Sequence, residues 1–414
     1  MGKQNRQRRA AKRRKVVARQ ARDRPSSPSP PTDHEHRSDD IVRRELVRAE
    51  LLRVIGDAWT RGWQPVELVR HVRRSGLDPW CQDVFARAIA IESQVAELDV
   101  YPSWASQVRR VTARFGPIEH DWFDRRDSGR DRIDSIVGLV ALLARLPRLA
   151  RLIPSPGNPS VDVDVLVGEV RGDPLLDRIR SLLAKAESTE FPAEAEAFTA
   201  KAQSLITSAR LDEAALRGLR APDGGSGRVS AIRVPIDEPY VNEKRILLTA
   251  IAAANDARTI GERDLELVTV VGPSGQLVHI ELLFTSLLIQ LQSALITDSS
   301  TSVPGDRRRS RRYRASFIAG FACRIGERLA EAGAAAVGDA PGTALAVLVS
   351  DRKAVDELIE RMFIGITSRR GVRARDPMGV TSGAAAADRV RLRDDGLAGG
   401  SRRGTSELPE ASGW

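Results

Sequence analysis

Cysteine is almost absent from this chain of 414 residues: there are two, Cys81 and Cys323, far apart. That excludes a disulfide framework and a Cys-rich zinc site, and it fits a reducing compartment. Histidine is nearly as scarce. Of the five, His34 and His36 sit in a Ser/Pro-rich stretch, and His71, His120 and His279 lie in three separate regions. A histidine metal site or a triad therefore lacks raw material, and H-E-x-x-H does not occur. Aromatics make up only 4% of the residues, so the cores must be aliphatic. There is no N-terminal apolar segment of signal-peptide type, and no apolar run reaches the roughly 18 residues that span a bilayer. The nearest, 136–144 and 282–291, read as core helix. A cytoplasmic protein without a membrane partner is the expectation.

Other catalytic signatures fail on their spacing. Gly272-Pro273-Ser274-Gly275 follows a strand pattern, but Gln276 and Leu277 stand where a phosphate-binding loop needs Lys and Ser or Thr. These residues read as a tight turn that launches a helix. His279-Ile280-Glu281 imitates half of a zinc-deaminase signature; the P-C-x-x-C half is missing, and residues two apart on a helix diverge. Asp162 and Asp164 lack the turn glycine and distal Glu of a calcium loop. No catalytic residue, cofactor or metal ligand is assigned.

What the chain does have is positive charge in particular places. Its formal net charge is +10, and residues 1–24 alone hold eleven Lys/Arg against one Asp. The remaining residues therefore balance to zero. Arg8, Arg9, Lys12, Arg13, Arg14 and Lys15 form the densest part of that arm. It leads into a Ser/Pro stretch, and residues 1–40 as a whole are too poor in apolar groups to order themselves. A second cluster, Arg307, Arg308, Arg309, Arg311, Arg312 and Arg314 with Tyr313 interleaved, reads as a loop feeding a helix. Guanidinium forks match phosphates and a tyrosine ring can stack on a base, so both segments are candidate nucleic-acid contacts. The plainer reading of each is a solvated charge run.

The body reads as mainly α with a smaller α+β domain. Residues 41–156 carry helical stripes punctuated by Gly62, Pro65, Gly76, Pro79 and Pro102. A short helix, a turn and a longer helix also describe a helix-turn-helix. The longer helix has only Arg87 as a base through Val95, which favours a plain bundle. A helix over 133–149 would align Arg145 and Arg148 with Arg151 beyond, as a basic stripe or a solvent face. In residues 228–392, Ile232, Val234 and Ile236 alternate as a strand, Pro239 opens a helix, and 259–260 with 265–271 read as a hairpin. Long helices follow over 276–295 and 315–332, the latter with Phe317, Phe321, Ile325 and Leu329 inward and Gly320 and Gly326 permitting close approach. Residues 344–349 read as another strand, with Asp351 capping the next helix, and 384–390 as a last Ala-rich helix. Residues 393–414 read as a disordered tail.

Between these lies the most patterned stretch, 173–217. Asp173 and Pro174 start a helix whose stripe is Leu175, Ile179, Leu182 and Ala186, widened by Leu176 and Leu183. Pro192 starts a second, with Phe198, Ala202, Leu205 and Ala209. A short connection predicts an antiparallel helical hairpin. Lys185, Glu194, Lys201 and Gln203 are expected to rim its seam, either as a partner-binding patch or as charges satisfying one another. The pattern I-x-x-L-L-x-K-A-E-S-T-x-x-P-x-E-A-E-A-x-x-x-K-A-Q-x-L from Ile179 to Leu205 resembles domain of unknown function 2786, found in actinobacterial and phage-related proteins. RGWQP at 61–65 and PSWASQ at 102–107 resemble that family's usual upstream flank, and FIAGFACRIGERL and GAAAADRV its downstream flank. The resemblance implies an architecture but no catalytic residues. The leading expectation is a non-enzymatic protein that binds DNA or RNA through its arginine-rich segments. The alternatives are a protein-interaction module built on the hairpin, and an enzyme with an unrecognised carboxylate site.

Overall fold

A computed structural model of the chain describes residues 33–95, 101–113, 130–156, 161, 174–188, 192–220, 229–262, 265–300, 310–338, 342–363, 365 and 375–388. The basic arm, most of 157–173 with Asp162 and Asp164, and the tail at 393–414 lie outside these residues.

The first part is a bundle of α1 (Asp33–Thr60), α2 (Pro65–Arg74), α3 (Pro79–Val95), α4 (Pro102–Thr112) and α5 (Arg130–Ala144). The start of α1 at Asp33 makes 33–40 helical, although that stretch reads as linker. Its joint is RGWQP. Gly62 turns the chain at φ +86°, where a side chain would meet the Leu149 carbonyl. Arg61 donates to the carbonyls of Ala144 and Leu146 at the end of α5, and Trp63 Nε1 donates to Pro147 O at 2.9 Å. Gln107 of PSWASQ donates to Gln64 Oε1 at 2.6 Å, so the two quoted motifs meet in space. Trp104 packs edge-on against Trp59, centroids 4.9 Å apart. Pro147 follows the end of α5, so Arg145, Arg148 and Arg151 lie beyond the helix and form no helical stripe. The helix-turn-helix reading fails too: α3 buries Cys81, Val84, Phe85, Ala88 and Ile89 in the bundle core, and Arg70 and Arg74 of α2 are paired with Asp237 and Glu266.

The hairpin forms as expected from α6 (Pro174–Ser188) and α7 (Pro192–Arg220). Its buried face is turned by about one position from the expected stripe. In α6 it is Leu176, Ile179, Leu183 and Ala186; in α7 it is Ala202, Gln203, Ile206, Thr207, Arg210 and Ala214. Polar residues inside the contact conceal that face from an apolar count.

The third part holds β1 (Val229–Pro235), α8 (Val241–Ala254), β2 (Arg258–Gly261), β3 (Leu267–Pro273), α9 (Ser274–Ser300), α10 (Arg311–Gly338), α11 (Gly342–Met362) and α12 (Pro377–Asp388). The sheet is antiparallel in the order β1-β3-β2, with Val234 opposite Val268 and Thr259 opposite Val270. Central β3 is buried nearly throughout instead of alternating, because both faces are covered. Ile232, Val234, Val268 and Val270 pack in one core with α8, α9, α10 and the hairpin residues Ile179, Leu183, Ala202 and Ile206. Val229, Ala231 and Val271 on the other face meet Val355 and Leu358 of α11. Pro239 does not open a helix: Tyr240 follows it in the left-handed region at φ 67°, and α8 starts at Val241. Residues 344–349 are helix, not strand, and Asp351 lies mid-helix in α11, where Arg217 of α7 holds both its oxygens at 2.8 and 2.7 Å.

α9 is the one helix among the described residues long and apolar enough to cross a bilayer, with a mean hydropathy of 1.5 over its best window. Its Leu277, Ile280, Leu283, Phe284, Leu287 and Leu291 instead pack in the shared core.

The expected core stripe of α10 is present, with Phe317, Phe321, Ile325 and Leu329 all buried. α10 and α12 touch through glycine: a Cβ on Gly320 would strike the Val380 backbone, and one on Gly383 the Phe317 backbone. Gly383→Ala should therefore destabilise the fold by about 1–3 kcal/mol, the usual cost of overpacking, read as a lowered urea midpoint with an unchanged slope. A variant as stable as the parent would mean that this contact has room to spare.

Candidate nucleic-acid interface

The pairing of α10 with α12 decides what the second arginine cluster can do. Ser310 caps α10, its Oγ accepting from Tyr313 N at 3.1 Å. Ser316 Oγ, one turn on, accepts from the backbone N–H groups of Arg375 and Asp376 at 3.1 and 3.0 Å. Asp376 in turn caps α12 by accepting from Gly379 N at 3.2 Å. Further along, Arg324 Nε donates to Asp388 Oδ1 at 2.5 Å. Residue numbers rise together on both helices, so α10 and α12 run parallel and their N-termini lie side by side. Each N-terminus carries partial positive charge from the aligned peptide dipoles.

Arginine-rich chain precedes both. Arg312 donates through Nε and Nη2 to the Arg375 carbonyl at 3.0 and 2.7 Å. Arg375 is the last residue of R-R-G-V-R-A-R at 369–375, which holds four arginines. The contact therefore joins the first turn of α10 to Arg375, just ahead of α12, while Arg369, Arg370 and Arg373 lie outside the described residues. Arg311 and Arg312 are exposed and Arg314 is half-buried. Arg307, Arg308 and Arg309 lie outside the described residues, as do Arg8, Arg9, Lys12, Arg13, Arg14 and Lys15 of the arm. The expected loop is helix from Arg311 onward.

Tyr313 is a correction. It is fully buried, packed against Phe317 with ring centroids 6.4 Å apart, and cannot stack on a base. Its position in the first turn puts it on the face that α12 covers.

The hairpin rim is also revised. Gln203 is 2% exposed and donates to Thr207 Oγ1 at 3.3 Å, so it belongs to the packed seam. Lys185 and Lys201 are exposed, and Lys185 Nζ stands 5.8 Å from the centre of the Phe198 ring. The side chain of Glu194 lies outside the described residues. Only the two lysines of the four rim residues are thus seen at the surface.

His279 is buried and Glu281 exposed on the same helix, so the pair does not converge. Among the described residues no three His, Cys, Asp or Glu side chains stand close enough to hold a metal ion. Buried Glu67 has a pKa raised by burial, opposed by Arg233 and the Gln64 backbone, and it serves the fold. Composition alone flags the segment at 369–375; its meeting with Arg312 has no local signature.

No curated protein and no solved structure matches the chain. Residues 175–213 match the family model described as Protein of unknown function (DUF2786). That match spans nearly all of α6 and most of α7, so the likeness to this family covers the helical hairpin.

Proposed function

We propose that this is a cytoplasmic, non-enzymatic protein that binds nucleic acid largely without regard to sequence, through the arginine-rich arm and the surface where α10 and α12 begin. The observation that carries this reading is the Arg312 contact to Arg375, which sets two helix N-termini side by side, each preceded in the sequence by an arginine-rich stretch. Segments 307–314 and 369–375 hold ten arginines between them. Cations at the positive ends of helices oppose the dipoles, and a phosphate chain relieves both sources of repulsion. Arginine suits that role because its fork engages two phosphate oxygens at once. Such binding fixes position on the backbone and reads no bases.

The test is fluorescence anisotropy with labelled single- and double-stranded oligonucleotides of scrambled sequence. Arg311→Gln/Arg312→Gln should weaken all sequences alike and reduce the slope of log K against log salt by about 1–2. Unchanged affinity in the double variant would remove this surface from the interface. Natively purified protein should also carry nucleic acid, visible in its absorbance ratio.

A further inference from the structure

A second cationic site lies away from α10 and α12, in a cleft of about 280 Å³ between the end of α8, the start of β2 and α11. Its lining includes Asp256, Arg258 and Arg352. Asp256 adopts the left-handed region at φ 54°, and its side chain is only 5% exposed. It is gripped from both sides. Arg210, itself buried on α7 within the family-matched residues, pairs with Oδ2 at 2.9 Å, and Arg352 Nε donates to Oδ1 at 2.7 Å. Arg258 Nε donates to Asp356 Oδ1 at 3.3 Å. Three guanidinium groups thus face two carboxylates. The neighbouring Asp351 does not alter the sum, because Arg217 neutralises it.

The geometry points to a binding site for a single phosphoryl group. Arg258 and Arg352 spend only their Nε edges on carboxylates, and both side chains are about half exposed. Among the described residues neither has an acceptor for its terminal Nη groups. Two forks lining one cleft, one from β2 and one from α11, call for an oxyanion with at least three oxygens. A carboxylate has two and saturates one fork. The volume is just below the roughly 300 Å³ at which clefts for drug-sized ligands begin, so a small phosphorylated molecule fits better than a dinucleotide. Arg210 makes the site relevant to the family hairpin: the cleft's buried acid is held by a helix of that hairpin. This inference is independent of the nucleic-acid reading, although a backbone phosphate would present the same chemistry.

Isothermal titration of the full chain with inorganic phosphate, in chloride buffer at fixed ionic strength, tests it. The wild type should show a saturable class of one site. Arg258→Gln should weaken that class about tenfold or more, since its side-chain partner among the described residues is the half-exposed Asp356 and the fold survives its loss. Arg352→Gln should do the same, with circular dichroism as the check on folding. A scrambled oligonucleotide that displaces phosphate, and whose own binding falls in Arg258→Gln, assigns the site to a nucleic-acid phosphate. Oligonucleotide binding indifferent to Arg258→Gln assigns it to a free phosphorylated molecule. No saturable class, or one of equal strength in the wild type and Arg258→Gln, overturns the site, whatever the oligonucleotide does.

Discussion

Arg233→Ala should cost the folded state about 3–5 kcal/mol, the usual consequence of stranding a buried charge. Arg233 leaves β1 toward the helical bundle. Its side chain is 1% exposed and that of Glu67 8%. Its Nε donates to Glu67 Oε1 at 2.7 Å, Nη1 to Ala150 O at 2.8 Å and Nη2 to Gly62 O at 2.5 Å. One guanidinium thus joins the sheet to α2, to the segment after α5 and to the RGWQP turn. Removing it takes the guanidinium donor from the carbonyls of Gly62 and Ala150 and leaves the buried Glu67 carboxylate only the backbone N–H of Gln64.

The loss should depend on pH in a definite direction. Burial already raises the pKa of Glu67 above its ordinary 4.5, against the pull of Arg233. An acid with a raised folded pKa binds its proton more readily folded than unfolded. Its contribution to stability is therefore fully present below the unfolded pKa and declines as pH rises through the folded one. Without Arg233 the folded pKa rises further. The deficit of Arg233→Ala should then be smallest near pH 4 and grow toward neutrality, as urea denaturation at several pH values would show. A deficit independent of pH would mean that Glu67 is not left charged and alone. Adding Glu67→Gln to Arg233→Ala should recover part of the loss at pH 7.

Much of the fold was legible where one periodicity ruled a segment. The stripe from Phe317 to Leu329 and the β2–β3 hairpin fall where their spacing puts them. Legibility failed where local pattern and tertiary context disagree. The run Ala344-Leu345-Ala346-Val347-Leu348-Val349 satisfies a strand as well as a buried helix; packing of Ala344, Val347 and Leu348 against Ala214 of α7 decides for helix. The face of α7 was misjudged because Gln203, Thr207 and Arg210 are buried and an apolar count passes over them. The candidate interface was half legible. Its charge shows in composition, whereas the Arg312–Arg375 contact joins residues 63 apart and leaves no local mark. Tyr313 looked like a stacking residue for want of knowing that α12 lies over it.

The arm at residues 1–24 should dominate the salt dependence of binding, because it holds eleven cations against one acid while the rest of the chain is neutral overall. Each phosphate neutralised contributes about −0.9 to the slope of log K against log salt on duplex DNA. If about half of the arm's cations meet phosphates, deleting it should reduce the slope by about 4–5. Between 50 and 200 mM salt that difference amounts to a loss of sensitivity of several hundredfold, on the order of 250 to 1,000. The direct measurement is the affinity of the full chain and of the chain lacking residues 1–24 for one scrambled duplex across that salt range. The account predicts steep dependence in the first and a much flatter line in the second, with the remaining slope lowered by about 1–2 more in Arg311→Gln/Arg312→Gln. Parallel lines for the two proteins would contradict it.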